Sequence, residues 1–135
     1  VNSSMNKCYG GTGMSCWPTK DSNSVTCSLA YSSFANNHAN EGNCIWLNTA
    51  GAKYEIKYCN ILRNTQSSRD TRGTFYIGGN LMIEDSCILE NNANYIFYQV
   101  SSSYTITLSN CTVDKTTYNQ NVVIQKQLQK VSFTH

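Results

Sequence analysis

The chain repeats itself. Residues 27–37 (CSLAYSSFANN), 54–64 (YEIKYCNILRN), 81–92 (LMIEDSCILENN) and 106–115 (ITLSNCTVDK) share one pattern. Aligned on Ser32, Cys59, Cys87 and Cys111, the copies lie 27, 28 and 24 residues apart. Two places after each anchor stands an apolar residue: Phe34, Ile61, Leu89 or Val113. Three places before it stands Leu29, Ile56 or Leu108, with Ile83 displaced by one in the third copy. Asparagine follows in three copies, as Asn36 and Asn37, Asn64, and Asn91 and Asn92. A unit of about 25 residues cannot bury its own apolar face, so its copies must stack.

Each unit carries a second apolar run, at 44–47 (CIWL), 74–77 (TFYI), 95–98 (YIFY) and 122–124 (VVI). Turn-forming residues follow the first three, at 49–51, 78–80 and 101–103. The first runs alternate, Tyr54 and Ile56 against Glu55 and Lys57, as strands do. The second runs are β-branched and aromatic, which also favours strand. Only 119–130 shows a helical spacing, Ile124 to Leu128, and its β-branched run reads better as strand. A hairpin at Gly78-Gly79 is not repeated in other units, which argues against a meander. The Leu-x-x-Leu-x-Leu signature of leucine-rich repeats is missing. These readings predict an all-β, right-handed parallel β-helix of about five coils, each coil pairing with the next about 4.8 Å away. Residues 1–24 read as an irregular Cys/Gly-rich first coil or cap, and 25–135 as coils of a longer solenoid. Both ends, Val1 and the strand-like 131–133, look like cuts.

Stacking puts equivalent residues above one another. Asparagine amides can then hydrogen-bond up the column, and asparagine tolerates the left-handed backbone of tight corners. The column Ser32, Cys59, Cys87, Cys111 is small and fairly apolar, as an inward corner requires, and is expected to hold stacked, reduced thiols.

Charged residues make up only 13% of the chain and its net charge is +2, which gives no footprint for nucleic acid. No apolar run reaches the roughly 18 residues that span a bilayer. Seven cysteines without a Cys-x-x-Cys, and two histidines remote from any cysteine pair, point to an oxidising compartment and not to a metal site. The expected disulfides are Cys8 with Cys16 and Cys27 with Cys44. Asn2 and Asn110 begin glycosylation triplets.

Phe34-Ala35-Asn36-Asn37 and the later Gly42-Asn43-Cys44-Ile45 resemble the Phe-x-x-Asn and Gly-Gly-Ala-Ile repeats of polymorphic membrane proteins. Asn43 and Cys44 replace the Gly and Ala of the second motif. Ile61 with Asn64, and Leu89 with Asn92, keep the first spacing, and Gly73-Thr74-Phe75-Tyr76 is a degenerate second motif. The resemblance covers roughly 27–114. It implies a right-handed β-helix exposed at a cell surface, with adhesion as its role.

Many secreted β-helices cleave polysaccharides with clustered carboxylates. Glu55 and Glu84 fall in equivalent strands and would stack outside as the one candidate dyad, though a solvated face is the simpler reading. Arg69, Asp70 and Arg72 form the densest charge cluster, in a loop suited to a partner. His38 has no visible base or nucleophile beside it. The glycine-rich stretch 8–17 lacks the lysine of a phosphate loop. Tyr95, Tyr98 and Tyr104 could line the outer wall as a sugar-stacking ladder, or simply brace it. The reading that follows is a structural or adhesive extracellular solenoid, not an enzyme, with no cofactor. Its partners would be flanking coils, other copies of itself joined head to tail into a fibre, or a host-surface or glycan ligand. The alternative is a carbohydrate-binding or carbohydrate-active module of the polysaccharide lyase or hydrolase kind.

Overall fold

A computed structural model describes residues 1–8, 13–18, 23–40, 44–67, 72–119 and 123–127. They contain no helix. Every strand pairing is parallel and joins a strand to its counterpart one coil away, so the chain is a parallel β-helix. Four walls result. Wall 1 holds β1 (Asn2–Ser4), β5 (Ser33–Ala35), β9 (Asn60–Leu62), β13 (Cys87–Leu89) and β16 (Thr112–Val113). Wall 2 holds β2 (Lys7–Cys8), β6 (His38–Ala39) and β10 (Thr65–Gln66), continued by a bridge from Thr65 to Asn92. Wall 3 holds β3 (Met14–Cys16), β7 (Ile45–Leu47), β11 (Phe75–Ile77) and β14 (Phe97–Gln99), continued by a bridge from Phe97 to Tyr118. Wall 4 holds β4 (Val25–Ala30), β8 (Lys53–Lys57), β12 (Asn80–Glu84), β15 (Thr105–Ser109) and β17 (Val123–Gln127). From β1 to β16 the chain makes four complete turns, and β17 carries it into a fifth. The N-terminal stretch is itself a coil, since β1, β2 and β3 pair with β5, β6 and β7.

Alternation fills the core. Wall 1 sends Phe34, Ile61 and Ile88 inward, wall 3 sends Ile45, Leu47, Phe75, Ile77 and Phe97, and wall 4 sends Tyr54, Ile56, Leu81, Ile83, Ile106 and Leu108. Phe75 and Phe97 stack inside at 5.1 Å between ring centroids. Each such side chain contributes about 1.5–3 kcal/mol by leaving water.

The corners explain the repeat length. Among the described residues, all eight non-glycine residues with positive φ fall into two columns. Tyr31, Tyr58, Asp85 and Asn110 turn wall 4 into wall 1, and Met5, Asn36, Arg63 and Glu90 turn wall 1 into wall 2. One left-handed residue bends the chain sharply while its N–H still reaches the next coil. Tyr31 N–H donates to the Lys57 carbonyl, and Arg63 N–H to that of Leu89. At the third corner a Cβ on Gly79 would stand 2.2 Å from the Ala52 carbonyl oxygen, so only glycine fits there.

The register corrects the third repeat. Cys87 pairs with Asn60 and Thr112, and Ile88 pairs with Ile61. The corner column is therefore Ser32, Cys59, Ser86, Cys111, and Cys87 lies one residue outside it. Ile88 and Asn91, not Leu89 and Asn92, carry the Phe-x-x-Asn spacing. The described part of the run 122–124, Val123 and Ile124, is also reassigned. Ile124 pairs with Ile106, so β17 is a first-run strand of the next coil and not a second run.

Candidate functional site

The small corner column has a definite job. Ser32 Oγ donates to Ala30 O at 2.9 Å and Ser86 Oγ to Glu84 O at 2.8 Å. Cys59 Sγ does the same to Lys57 O at 3.1 Å, and Cys111 Sγ to Ser109 O at 3.3 Å. Hydroxyl and thiol are interchangeable there because each returns one X–H to the carbonyl two residues back. Burial pushes the Cys59 and Cys111 thiols up, and the carboxylate of Asp85 and the thiol of Cys87 push Cys111 the same way. These are structural thiols, since the thiolate is the reactive form. Burial holds the Cys44 thiol highest, at about 12.

The disulfide joins Cys16 to Cys27, correcting both expected pairs. Cys16 aligns with Leu47 and Cys27 with Tyr54, both inward positions, so the two face the interior of the first coil from adjoining walls. Their bond crosses the end of the core, which both cysteines pack against. Cys8 sits in wall 2, and Cys44 is a buried free thiol one coil above.

On wall 4 the candidate acidic pair Glu55 and Glu84 does not stack directly. Glu84 aligns with Lys57, while Glu55 aligns with Met82. Lys57 Nζ lies 3.0 Å from Glu55 and 3.6 Å from Glu84. The hydrogen bond and charge of Glu55, then the charge of Glu84, hold the ammonium above its ordinary value. Beside this trio runs an open cleft of about 440 Å³ that includes Lys53, Asn80 and Thr105. Asn80 Oδ1 already accepts from the Thr105 N–H at 2.9 Å. Among the described residues no three His, Cys, Asp or Glu side chains cluster to hold a metal.

Wall 3 carries an aromatic ridge outside. Trp46, Tyr76 and Tyr98 stand in register, above Ser15. Trp17 packs on Trp46 at 5.3 Å, Trp46 meets Tyr76 edge-on at 5.7 Å, and Tyr76 stacks on Tyr98 at 5.5 Å with planes 9° apart. Tyr95 joins at 6.0 Å from Tyr98. Tyr104 lies apart, in the turn before β15. Sequence reading missed Trp17, Trp46 and Tyr76. Their signal was the middle place of Ile45-Trp46-Leu47 and Phe75-Tyr76-Ile77, outward between two inward residues. The Tyr76 and Tyr98 faces cover each other, so the ridge is chiefly a brace with Trp17, 63% exposed, at its end.

Between walls 1 and 2 runs a buried amide ladder. Asn6 Nδ2 donates to Asn37 Oδ1 at 2.9 Å, Asn37 Nδ2 to Asn64 Oδ1 at 2.9 Å, and Asn64 Nδ2 to Asn91 Oδ1 at 3.0 Å. The residues next along the chain, His38, Thr65 and Asn92, open onto a groove of about 330 Å³ on the outer face of wall 2. His38 is exposed there.

Of the remaining candidates, Asn2 lies exposed in β1. Asn110 stands at a corner with φ 52° and its side-chain amide bonds Asp85. Arg72 is half-buried, and Arg69 and Asp70 lie outside the described residues. No protein-family model, curated protein or solved structure matches the chain.

Proposed function

We propose that the chain is a coil segment of a secreted or cell-surface β-helix protein, and that its work is structural and adhesive. One observation carries this reading. The polar and aromatic side chains of the described residues are spent on one another along the stack, and not aimed at a shared reacting point. Outside, Lys57 holds Glu55 in its own strand and Glu84 one coil on, and the ridge rings hold one another; inside, the asparagines form a ladder. Such a wall is a stiff display surface.

The Cys16–Cys27 bond supports an oxidising, exported setting. The Phe34 and Asn37 repeat, with its likeness to polymorphic membrane proteins, supports a cell-surface place. Phe34 fills the core and Asn37 the ladder, which gives that spacing a physical meaning. Strands β1 and β17 are end strands of their walls among the described residues. Flanking coils or another copy of the chain would continue those walls by parallel pairing.

Beads coated with the native chain should attach to cultured cells more strongly than beads coated with the reduced, alkylated and denatured chain. Equal attachment removes the adhesive reading. For end-to-end assembly, negative-stain images should show rods that lengthen with concentration. A monodisperse monomer at every concentration removes it.

A further inference from the structure

The geometry points to the wall 2 groove as a binding site for an uncharged glycan chain. This rests on the adhesive reading and names the ligand class and its place. The groove crosses three successive coils, with His38 and Asn40 from one, Thr65 and Ser67 from the next, and Asn92 and Asn94 from the third. Its volume of about 330 Å³ falls at the lower end of the range for ligand sites.

The lining chemistry selects the ligand. Amides and hydroxyls both donate and accept, as sugar hydroxyls do. Among the described residues no Lys, Arg, Asp or Glu lines the groove, so phosphate, sulfate or carboxylate groups find no counter-charge from them. Among the same residues no large apolar side chain lines it, so a lipid or an apolar peptide anchor finds no pocket in them. The coils repeat every 4.8 Å or so along the axis, so polar side chains recur in register with an extended chain, His38, Thr65 and Asn92 in one row and Asn40, Ser67 and Asn94 in another.

The site is also stiff. Asn37, Asn64 and Asn91 of the buried ladder immediately precede His38, Thr65 and Asn92. Each groove residue therefore leaves a backbone fixed by two amide hydrogen bonds, which lowers the ordering cost of binding.

The test is calorimetry on the full chain with mannohexaose, cellohexaose, xylohexaose and chitohexaose, alongside hexagalacturonate and a heparin hexasaccharide. At least one neutral chain should bind, and the acidic chains should not. The double variant Asn40→Ala/Asn92→Ala should bind about tenfold more weakly through its lost hydrogen bonds, while Trp17→Ala leaves binding within about twofold. Amide chemical shifts of the wild-type chain should move at 38–40, 65–67 and 92–94, which needs no variant to fold. The inference is overturned if no neutral chain binds, if only acidic chains bind, or if shifts fall elsewhere. Cell attachment that survives such a result leaves the adhesive reading standing, and its loss in the bead assay sinks that reading independently.

Discussion

Asn64 is hydrogen-bonded to Asn91 one coil above through two donors, its backbone N–H at 3.0 Å and its Nδ2 at 3.0 Å, both reaching the same Oδ1. Asn37 makes the same pair of bonds to Asn64. Asn64→Ala therefore strands the backbone N–H and one Nδ2 hydrogen of Asn37, whose other Nδ2 hydrogen still reaches the Ser3 carbonyl, and frees the Phe34 carbonyl that Asn64 Nδ2 serves. A buried donor left alone costs roughly 1–3 kcal/mol, so the variant should lose about 2–4 kcal/mol in urea unfolding. Asn92→Ala, next to the ladder but exposed, should change stability by less than about 0.5 kcal/mol. Equal losses for the two would refute the ladder's role.

The corner column sets up a second comparison. Cys59→Ser keeps the bond to Lys57 O and should cost under about 1 kcal/mol, whereas Cys59→Ala loses it and should cost about 1–2 kcal/mol. An alanine variant as stable as the serine variant would show that the thiol only fills space.

Alkaline pH should weaken the fold through Cys44. Its thiol titrates at about 12 when folded, against an ordinary value of 9.0. Between these the unfolded chain loses its proton and the folded chain keeps it, so the folded state binds more protons and stability falls as pH rises from 9 to 12. The slope from this group is at most about 1.4 kcal/mol per pH unit. Burial of Cys59 and Cys111 acts in the same direction. Denaturant midpoints across that range should fall less steeply for Cys44→Ala, and an unchanged slope contradicts the assignment.

Cys16 and Cys27 close a loop of sequence separation 11 at the end of the core. Replacing both by alanine should cost about 2–4 kcal/mol. Mass spectrometry of a non-reduced digest should find the peptide pair joined, and a Cys8–Cys16 peptide pair instead would overturn the pairing.

Glu90 holds φ at 58°, a left-handed conformation that costs a side-chain-bearing residue about 1–2 kcal/mol. Its ion pair with Arg63 spans 3.6 Å between exposed side chains and contributes little. Glu90→Gly should raise stability by about 0.5–1 kcal/mol in thermal unfolding, after the unfolded-state entropy of glycine is subtracted. A lower melting temperature would show that the corner is held by something other than backbone geometry.

The architecture was legible because the period is legible. Phe34, Ile61 and Val113 mark the inward face of wall 1, and the alternation in 54–57 and 105–108 marks wall 4. The third copy slipped because Cys87 offers a cysteine to match Cys59, although the residue that does the cysteine's work is Ser86. The warning was Ile83. It fell one place out of line, and a one-residue slip in a strand sends every side chain to the other face. Glu55 and Glu84 were matched only as members of equivalent strands, and the residue register that sets Lys57 beside Glu84 came from the structure. The disulfide was not legible, since Cys16 and Cys27 meet only because both point inward from adjoining walls of one coil. The ridge was half legible. Tyr95 and Tyr98 were singled out, but Trp46 and Tyr76 could be assigned outward only once the register of walls 3 and 4 was fixed.

The amide-to-amide bonds of the asparagine column all run in one sense, from Asn6 towards Asn91, while Asn37, Asn64 and Asn91 each also donate back to a carbonyl of the coil before, those of Ser3, Phe34 and Ile61. The column is therefore a vector. It also stops inside the molecule, because the chain's own next coil lies above Asn91, with β16 on β13 and Asp114 accepting the Glu90 N–H, and that coil brings Thr116 and not an asparagine to the place. The polarity of any contact made beyond the last coil is therefore set by other groups than this seam.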